Sequence, residues 1–335
     1  IYRDYESMLA EQAGRIDLCL IPTGIQWHAR MTIAALRAGA HVLVEKPLAG
    51  SLAEVAEIQA AERATDRWVA VGFQDLYCPV NQWLKAELCA HAIGQLRSVR
   101  LLGLWPRPNS YFSRNHWAGR LHADGAPVRD SLLNNAFAHF VNLCLFFAGD
   151  APRRSAAVVI DSAELLRAHS IETFDTSVVR AHSPDGVDFW IGVSHTSQRT
   201  LEPEIQITGT EGRIEWHHGI RCTIETHRGR REERALPEIE STRQTMFRDV
   251  LIRLRDPSAL ICGTDLAEPH TRFIEQVHAA STPMPVPREM IEWASSPADH
   301  RSWPVVRGLE NALLQARTTG TTLSSAGFTV APTPV

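Results

Sequence analysis

The sequence predicts an α/β parallel sheet over residues 1–78, an α+β domain with a large, mainly antiparallel open sheet over 79–320, and a tail over 321–335. Three observations predict this. Up to about residue 75, short apolar runs of strand length alternate with segments of helical period. After residue 95, strand-like runs follow one another across short turns. The chain's 335 residues also exceed what one compact core usually holds, which favours two domains.

Asp4 to Ala13 reads as a helix and Ile16 to Ile21 as a short strand. His28 to Ala38 has helical periodicity that stops at Gly39, and His41 to Glu45 follows as a strand. Ser51 starts the next helix, which runs to about Ala64, with Glu54 completing a capping box. Trp68 to Phe73 is the next strand. Two consecutive βαβ units imply a parallel sheet with helices on its faces and right-handed crossovers. Further on, Ser98–Trp105, Ser155–Asp161, Thr176–Ser183, Phe189–Thr196, Glu204–Thr208 and Arg213–His217 read as strands. Turn signals such as Pro184-Asp185-Gly186 make most of their pairings antiparallel. One long apolar helix, about Ser131 to Ala148, precedes that sheet, and the Thr-, Ser- and Pro-rich segment after Gly320 reads as loosely held.

Composition excludes several classes. The chain is 44% apolar and 21% charged, with a net charge of -4, so no excess of positive charge favours nucleic acid. The longest apolar stretch, Phe140 to Gly149, is interrupted by Asn142 and is too short to span a bilayer. The six cysteines lie far apart with no CxxC pair. That spacing fits reduced thiols in a cytoplasmic protein rather than a disulfide framework or a metal site.

Four constellations carry chemistry. Glu45-Lys46-Pro47 directly follows an apolar strand, and in an open parallel sheet ligands bind outside the carboxyl ends of the strands. Pro47 keeps Lys46 out of helical geometry and could hold a cis peptide. An amine there can donate to a hydroxyl or carbonyl oxygen, and its pKa falls on desolvation; the alternative is a loop lysine in water. Pro22-Thr23-Gly24-Ile25-Gln26 ends the preceding strand and His28 opens the next helix. Its backbone N–H groups and positive helix end suit phosphate or ribose, unless it is an ordinary strand-to-helix turn. At the same edge, the amide of Gln74 is able to reach the crevice.

On the long helix, Ser131, Asn135, His139 and Asn142 are spaced four, four and three, forming one polar stripe. Such a stripe on an apolar helix either lines a wet cavity or is satisfied internally. Asp130 and Ser131 also suit N-caps. Finally, the loop Arg114 to Arg120, with Trp117, combines donors with an aromatic plane. It suits a polyhydroxylated or anionic ligand, or is a solvated loop.

Together these features resemble the Gfo/Idh/MocA oxidoreductases, the glucose–fructose oxidoreductase and inositol dehydrogenase type. The resemblance rests on Ile21-Pro22-Thr23-Gly24, Ala34-Ala35-Leu36-Arg37-Ala38-Gly39 and Val42-Leu43-Val44-Glu45-Lys46-Pro47-Leu48-Ala49. The histidine-bearing helix, followed by Ile207-Thr208-Gly209-Thr210-Glu211-Gly212, agrees with it in order. It implies a Rossmann domain that binds NAD or NADP, and a substrate domain whose open sheet serves homo-oligomerisation. It implies Lys46 on the substrate hydroxyl and His139 as the acid/base, with Asn135 beside it. Pro22, Thr23, His28, Glu45, Lys46 and Gln74 are expected on the cofactor side, and Trp117, Arg120 and Asn142 on the substrate.

Two departures stand out. The Gly-x-Gly-x-x-Gly fingerprint and the following ribose-reading acid would precede Ile1. The Rossmann sheet is therefore expected to be N-terminally incomplete by roughly 50–60 residues, about two βα units. Asn135 also stands where the family carries aspartate. It can orient His139 but not stabilise its imidazolium, which leaves more of the proton transfer to Lys46. The expected function is NAD(P)-dependent oxidation or reduction of a secondary alcohol or ketone on a sugar, sugar acid or cyclitol. A glycosidase using bound NAD and a non-catalytic dinucleotide- or sugar-binding regulator are the alternatives.

Overall fold

The computed structural model describes residues 1–295 and 301–330. Helix α1 (Tyr5–Glu11) is capped by Asp4 and leads to strand β1 (Leu18–Ile21). Helix α2 (Ile25–Arg37), strand β2 (His41–Val44), helix α3 (Leu52–Thr65) and strand β3 (Val69–Val71) complete a parallel sheet in the order β1-β2-β3. Val42, Leu43 and Val44 are all buried, as a strand covered on both faces requires. Ser51 caps α3 by accepting the Glu54 N–H at 3.2 Å. The reciprocal bond of the capping box falls one residue early, from the Gly50 N–H to the Glu54 carboxylate at 3.0 Å.

A single-turn helix over Gln74–Tyr77 leads to α4 (Pro79–Cys89), β4 (Leu96–Leu104) and the short α5 (Asn109–Phe112). The small ladder β5 (His122–Ala123) and β6 (Ala126–Pro127) precedes α6 (Ala138–Ala148). Seven strands follow: β7 (Val159–Arg167), β8 (Thr176–His182), β9 (Asp188–Ser194), β10 (Leu201–Gly209), β11 (Gly212–His217), β12 (Arg221–Thr226) and β13 (Arg231–Ala235). After them come α7 (Ile239–Arg253), α8 (Thr264–Ala280) and β14 (Met284–Pro285). The antiparallel pair β15 (Ile291–Ser295) and β16 (Ser302–Val306) precedes α9 (Leu309–Thr319).

The large sheet runs β13-β12-β11-β10-β4-β9-β8-β7-β14; only β4–β9 and β7–β14 pair in parallel. Side chains of β4 alternate between its faces. Val99 and Leu101 enter a core shared with α6, α8 and the parallel sheet, whereas Leu102 and Leu104 join a second core under α9. The larger core runs without a break from β1–β3 to the large sheet, so α6 and α8 act as the layer between the two sheets.

Several expectations are corrected. The helix expected from Ser131 begins only at Ala138, and 131–137 forms turns. The reason is packing: Phe137 stacks on Trp105 at 4.9 Å between centroids and occupies the space over Gly103, where a Cβ would meet its ring at 2.5 Å. The strand expected over 155–161 begins at Val159. Ahead of it, the Ala156 N–H donates to Leu145 and the Ser155 hydroxyl to Leu266 O at 3.1 Å, tying the segment to α6 and α8. The segment after Gly320 is held rather than loose. Leu323 is buried, and the Glu164 carboxylate accepts the Leu323 and Ser324 N–H groups. Residues 331–335 of the expected tail lie outside the described residues.

Candidate active site

The Lys46–Pro47 peptide is cis and lies just past the carboxyl end of β2. The half-buried Lys46 side chain stands at the sheet mouth. Its ammonium donates to the Asn135 backbone oxygen at 2.7 Å and to Asn135 Oδ1 at 3.1 Å. Burial lowers the Lys46 pKa to about 8, against the opposing pull of Glu45 and Asp130. The amine is thus a cation near neutral pH, but one from which a proton is readily moved.

Asn135 is the middle of a chain of groups. Its Nδ2 donates to Asp130 Oδ1 at 2.7 Å. Asp130 is buried; it also accepts the Gly119 N–H at 2.7 Å and faces Arg114 at 3.8 Å. Burial pushes the Asp130 carboxyl up, while these donors and the Lys46 charge pull it down. Lys46 is therefore linked through one amide to a buried acid.

His139 sits on the first turn of α6, with Nδ1 3.3 Å from Asp75 Oδ2, and both side chains are mostly buried. The two are close but not aligned for a hydrogen bond, so Nδ1 has no partner. Burial drives the His139 pKa well below its usual value, and Lys46, His270, His218 and Arg243 lower it further. Burial raises Asp75 to about 6. The result is a neutral imidazole beside a carboxyl that titrates near neutrality. Sequence reading missed Asp75, whose only signal was its place next to Gln74 at the end of β3.

The turn after β1 has the features of a ligand cradle. Thr23 Oγ1 and Gln26 Oε1 are buried without partners. Gly24 is the N-cap of the 13-residue α2 and makes no side-chain bond to its first turn, where the Trp27 N–H turns back to Gly24 O at 2.9 Å. A Cβ at Gly24 would lie 2.6 Å from Gln26 Oε1 and 2.8 Å from Trp117 Nε1, so a larger residue here would have to displace those side chains. Trp117 thus packs against the turn. Pro22, an exposed residue, leads into it.

The remaining candidates separate. His28 is buried with Nδ1 2.7 Å from Pro47 O and Nε2 3.1 Å from Thr23 O. It lies between the two loops, its one N–H donating to one of these carbonyl oxygens, instead of presenting a nitrogen to the site. Glu45 is exposed, and its carboxylate accepts the Lys46 N–H at 3.2 Å. The Gln74 amide oxygen accepts from Arg243 Nε at 3.1 Å, which brings α7 to the site. Arg120 is taken up by an exposed ion pair with Glu172 at 2.6 Å. Asn142 is fully buried and turns toward Leu266 O on α8 at 3.4 Å. The polar stripe therefore does not form as one line, because 131–137 is not helical. Among the described residues no cluster of His, Cys, Asp and Glu is placed to hold a metal ion.

Comparison with known proteins adds an independent line. A sequence model of the oxidoreductase family with an NAD-binding Rossmann fold matches residues 1–73, and one of the GFO/IDH/MocA C-terminal domain matches 81–215. The chain is 25% identical over 211 residues to trans-1,2-dihydrobenzene-1,2-diol dehydrogenase of Bos taurus, an alignment covering 63% of this chain and 57% of that protein. It is 29% identical over 143 residues, 42% of each chain, to 4-carboxy-2-hydroxymuconate-6-semialdehyde dehydrogenase of a Sphingobium strain. The chain thus spans less than two thirds of the length of these curated relatives. An inositol dehydrogenase homologue of Azotobacter vinelandii, solved with NADH and myo-inositol, superposes with a TM-score of 0.68 at 17% identity, covering 83% of this chain and 80% of that one.

Proposed function

From the premise that this chain belongs to the Gfo/Idh/MocA oxidoreductases, a family with an NAD-binding Rossmann fold, we propose that it interconverts a secondary alcohol and a ketone on a small cyclic or polyhydroxylated substrate. Sugars, sugar acids, cyclitols and dihydrodiols make up that class; the last comes from the names of its relatives. Residues 1–78, the remainder of a dinucleotide-binding domain, contribute part of the site for NAD or NADP, and 79–320 hold the substrate and form a homo-oligomer through the open sheet, in the cytoplasm.

The unpartnered Thr23 hydroxyl, the start of α2 without a side-chain cap and the close approach at Gly24 fit a phosphate- and ribose-bearing group. When bound, the nicotinamide supplies the hydride acceptor or donor. The chain's own residues do the rest. Lys46, held on Asn135, donates to the reacting oxygen and stabilises charge as it develops there. His139 is neutral but, with its pKa lowered by burial and by Lys46, a weak base; it takes the hydroxyl proton during oxidation only with an acid to pair its imidazolium, and returns it during reduction. His28 keeps the Lys46 loop in place.

The observation that carries this reading is the ammonium of Lys46 anchored at 2.7 Å to the segment that also bears His139. The test is NADH or NADPH formation by the purified full-length protein against a panel of cyclitols, sugar acids and dihydrodiols. Turnover of at least one of them is expected, and Lys46→Ala should lower kcat by about 100-fold or more. No turnover across the panel, or full turnover by Lys46→Ala, overturns it.

A further inference from the structure

We propose that Asp75 is the positioning residue for His139, taking over the part of the acid that the family carries at the position of Asn135. The inference rests on the dehydrogenase reading of the site and adds to it a residue on a different element.

The geometry explains why the acid has moved. At position 135 the amide accepts from Lys46 at 3.1 Å and donates to Asp130 at 2.7 Å. A carboxylate there would have no proton to give Asp130 and would set two anions at hydrogen-bond distance. Asn135 is thus committed to Lys46 and Asp130, and its side chain makes no bond to His139. The groups that face His139 are Lys46 from the loop after β2, His270 from α8, His218 from the turn after β11, Arg243 from α7 and Asp75 from the turn after β3. Asp75 alone among them bears an acid.

Its backbone is pinned for the task. Asp75 O accepts the Cys78 N–H and, at 2.9 Å, Asn81 Nδ2. Arg243 bonds the neighbouring Gln74 and lowers the Asp75 carboxyl electrostatically. The 3.3 Å gap to Nδ1 closes with a small rotation of the ring, as catalytic hydrogen bonds commonly tighten on substrate binding. The bonded state puts the proton on Nδ1, which donates to Asp75 and leaves Nε2 as the basic nitrogen. When Nε2 takes the hydroxyl proton, the imidazolium is paired with the Asp75 carboxylate. An asparagine at 75 can turn its NH2 to Nδ1, which places the ring proton on Nε2 instead, and it cannot stabilise that cation.

Two measurements test this independently. The first does not depend on activity: nitrogen-15 NMR of histidine-labelled chain, with His139 assigned by its loss in His139→Asn. The wild-type ring is expected as the Nδ1–H tautomer, and Asp75→Asn should shift it towards the Nε2–H form. The second is the pH–rate profile on whichever alcohol the chain oxidises. Asp75→Asn should lower kcat by roughly 10- to 100-fold with little change in KM, and move the acid limb to lower pH. Asp75→Glu should restore part of the rate. An Nε2–H ring in the wild type, or an Asp75→Asn variant with unchanged tautomer and profile, overturns the proposal. A wild type with the Nδ1–H ring but no dehydrogenase activity refutes the reading of the site while supporting the pairing.

Discussion

Asn135 shows how one side chain can serve two neighbours of opposite charge. Its oxygen faces the Lys46 ammonium and its nitrogen faces the Asp130 carboxylate, a division that only an amide provides. Restoring the family's acid with Asn135→Asp is therefore expected to lower kcat/KM by about 10-fold. It should also destabilise the fold by about 1–3 kcal/mol, since Asp130 loses its donor. Urea unfolding and steady-state kinetics check both, and a gain in kcat/KM would show that the amide is a loss rather than a fit. The sequence exposed Lys46, His139 and the odd amide, because each sits in a recognisable run of neighbours. It could not expose Asp75 or Asp130 as partners, because side-chain pairing depends on distances across elements that spacing does not encode.

The elements differ in how plainly they were written. The parallel strands and the helices between them were legible because Val42–Val44 and Val69–Val71 are apolar runs flanked by caps and glycine. Helix α7 exposes Phe247 and Leu251 beside its charged residues and shows no clear amphipathic face, whereas α8 buries Leu266, Phe273, Ile274 and Val277 along one face but carries Pro269 within it. The start of α6 was misplaced for the opposite reason: the segment ahead of it is as apolar as a helix core, and only Phe137 packing decides its path. The other end of α6 depends on Lys85, which is almost fully buried and donates to Phe146 O, Gly149 O and Arg154 O at 2.5, 2.6 and 3.1 Å. Phe146 O and Gly149 O lie at the helix C-terminus, where a cation is favoured, and Phe146 O also accepts the Gly149 N–H at 3.2 Å. Lys85→Met keeps the apolar volume and strips the donors, so it should destabilise the chain by about 3 kcal/mol or more. Chemical denaturation reads this directly, and a change under about 0.5 kcal/mol would show that water replaces the ammonium.

At the scale of the whole molecule, the two sheets share one core, so acid should unfold them together. Burial lowers the pKa of His270 to about 3 and of His278 to about 4, and drives His139 and His195 well below their usual value, with His28 lowered as well. These rings stay neutral in the folded chain while the unfolded chain protonates them near pH 6.5. The unfolded state therefore binds more protons across that window, and stability is lost as pH falls from about 6.5 towards 4. Asp75, raised to about 6, and Asp130, also raised by burial, act in the opposite sense, but they are outnumbered. Urea midpoints measured between about pH 7 and pH 5 should fall together by circular dichroism and tryptophan fluorescence. A midpoint that holds or rises on acidification would show that the histidines are hydrated when folded.

The sequence alone determined the fold family and the order of the elements, and it singled out Lys46 and His139 as candidates. All of these are local: they follow from apolar period, capping residues and short motifs at strand ends. Tertiary structure decided which groups those two residues work with. It broke the expected polar stripe, sent Asn142 to α8 and Arg120 to Glu172, and buried His28 between two loops. It also brought Asp75 to the imidazole and Asp130 to the far side of Asn135. The physical reason is that charge and hydrogen bonding act over a few ångströms between residues far apart in the chain, and those distances exist only once the core has closed.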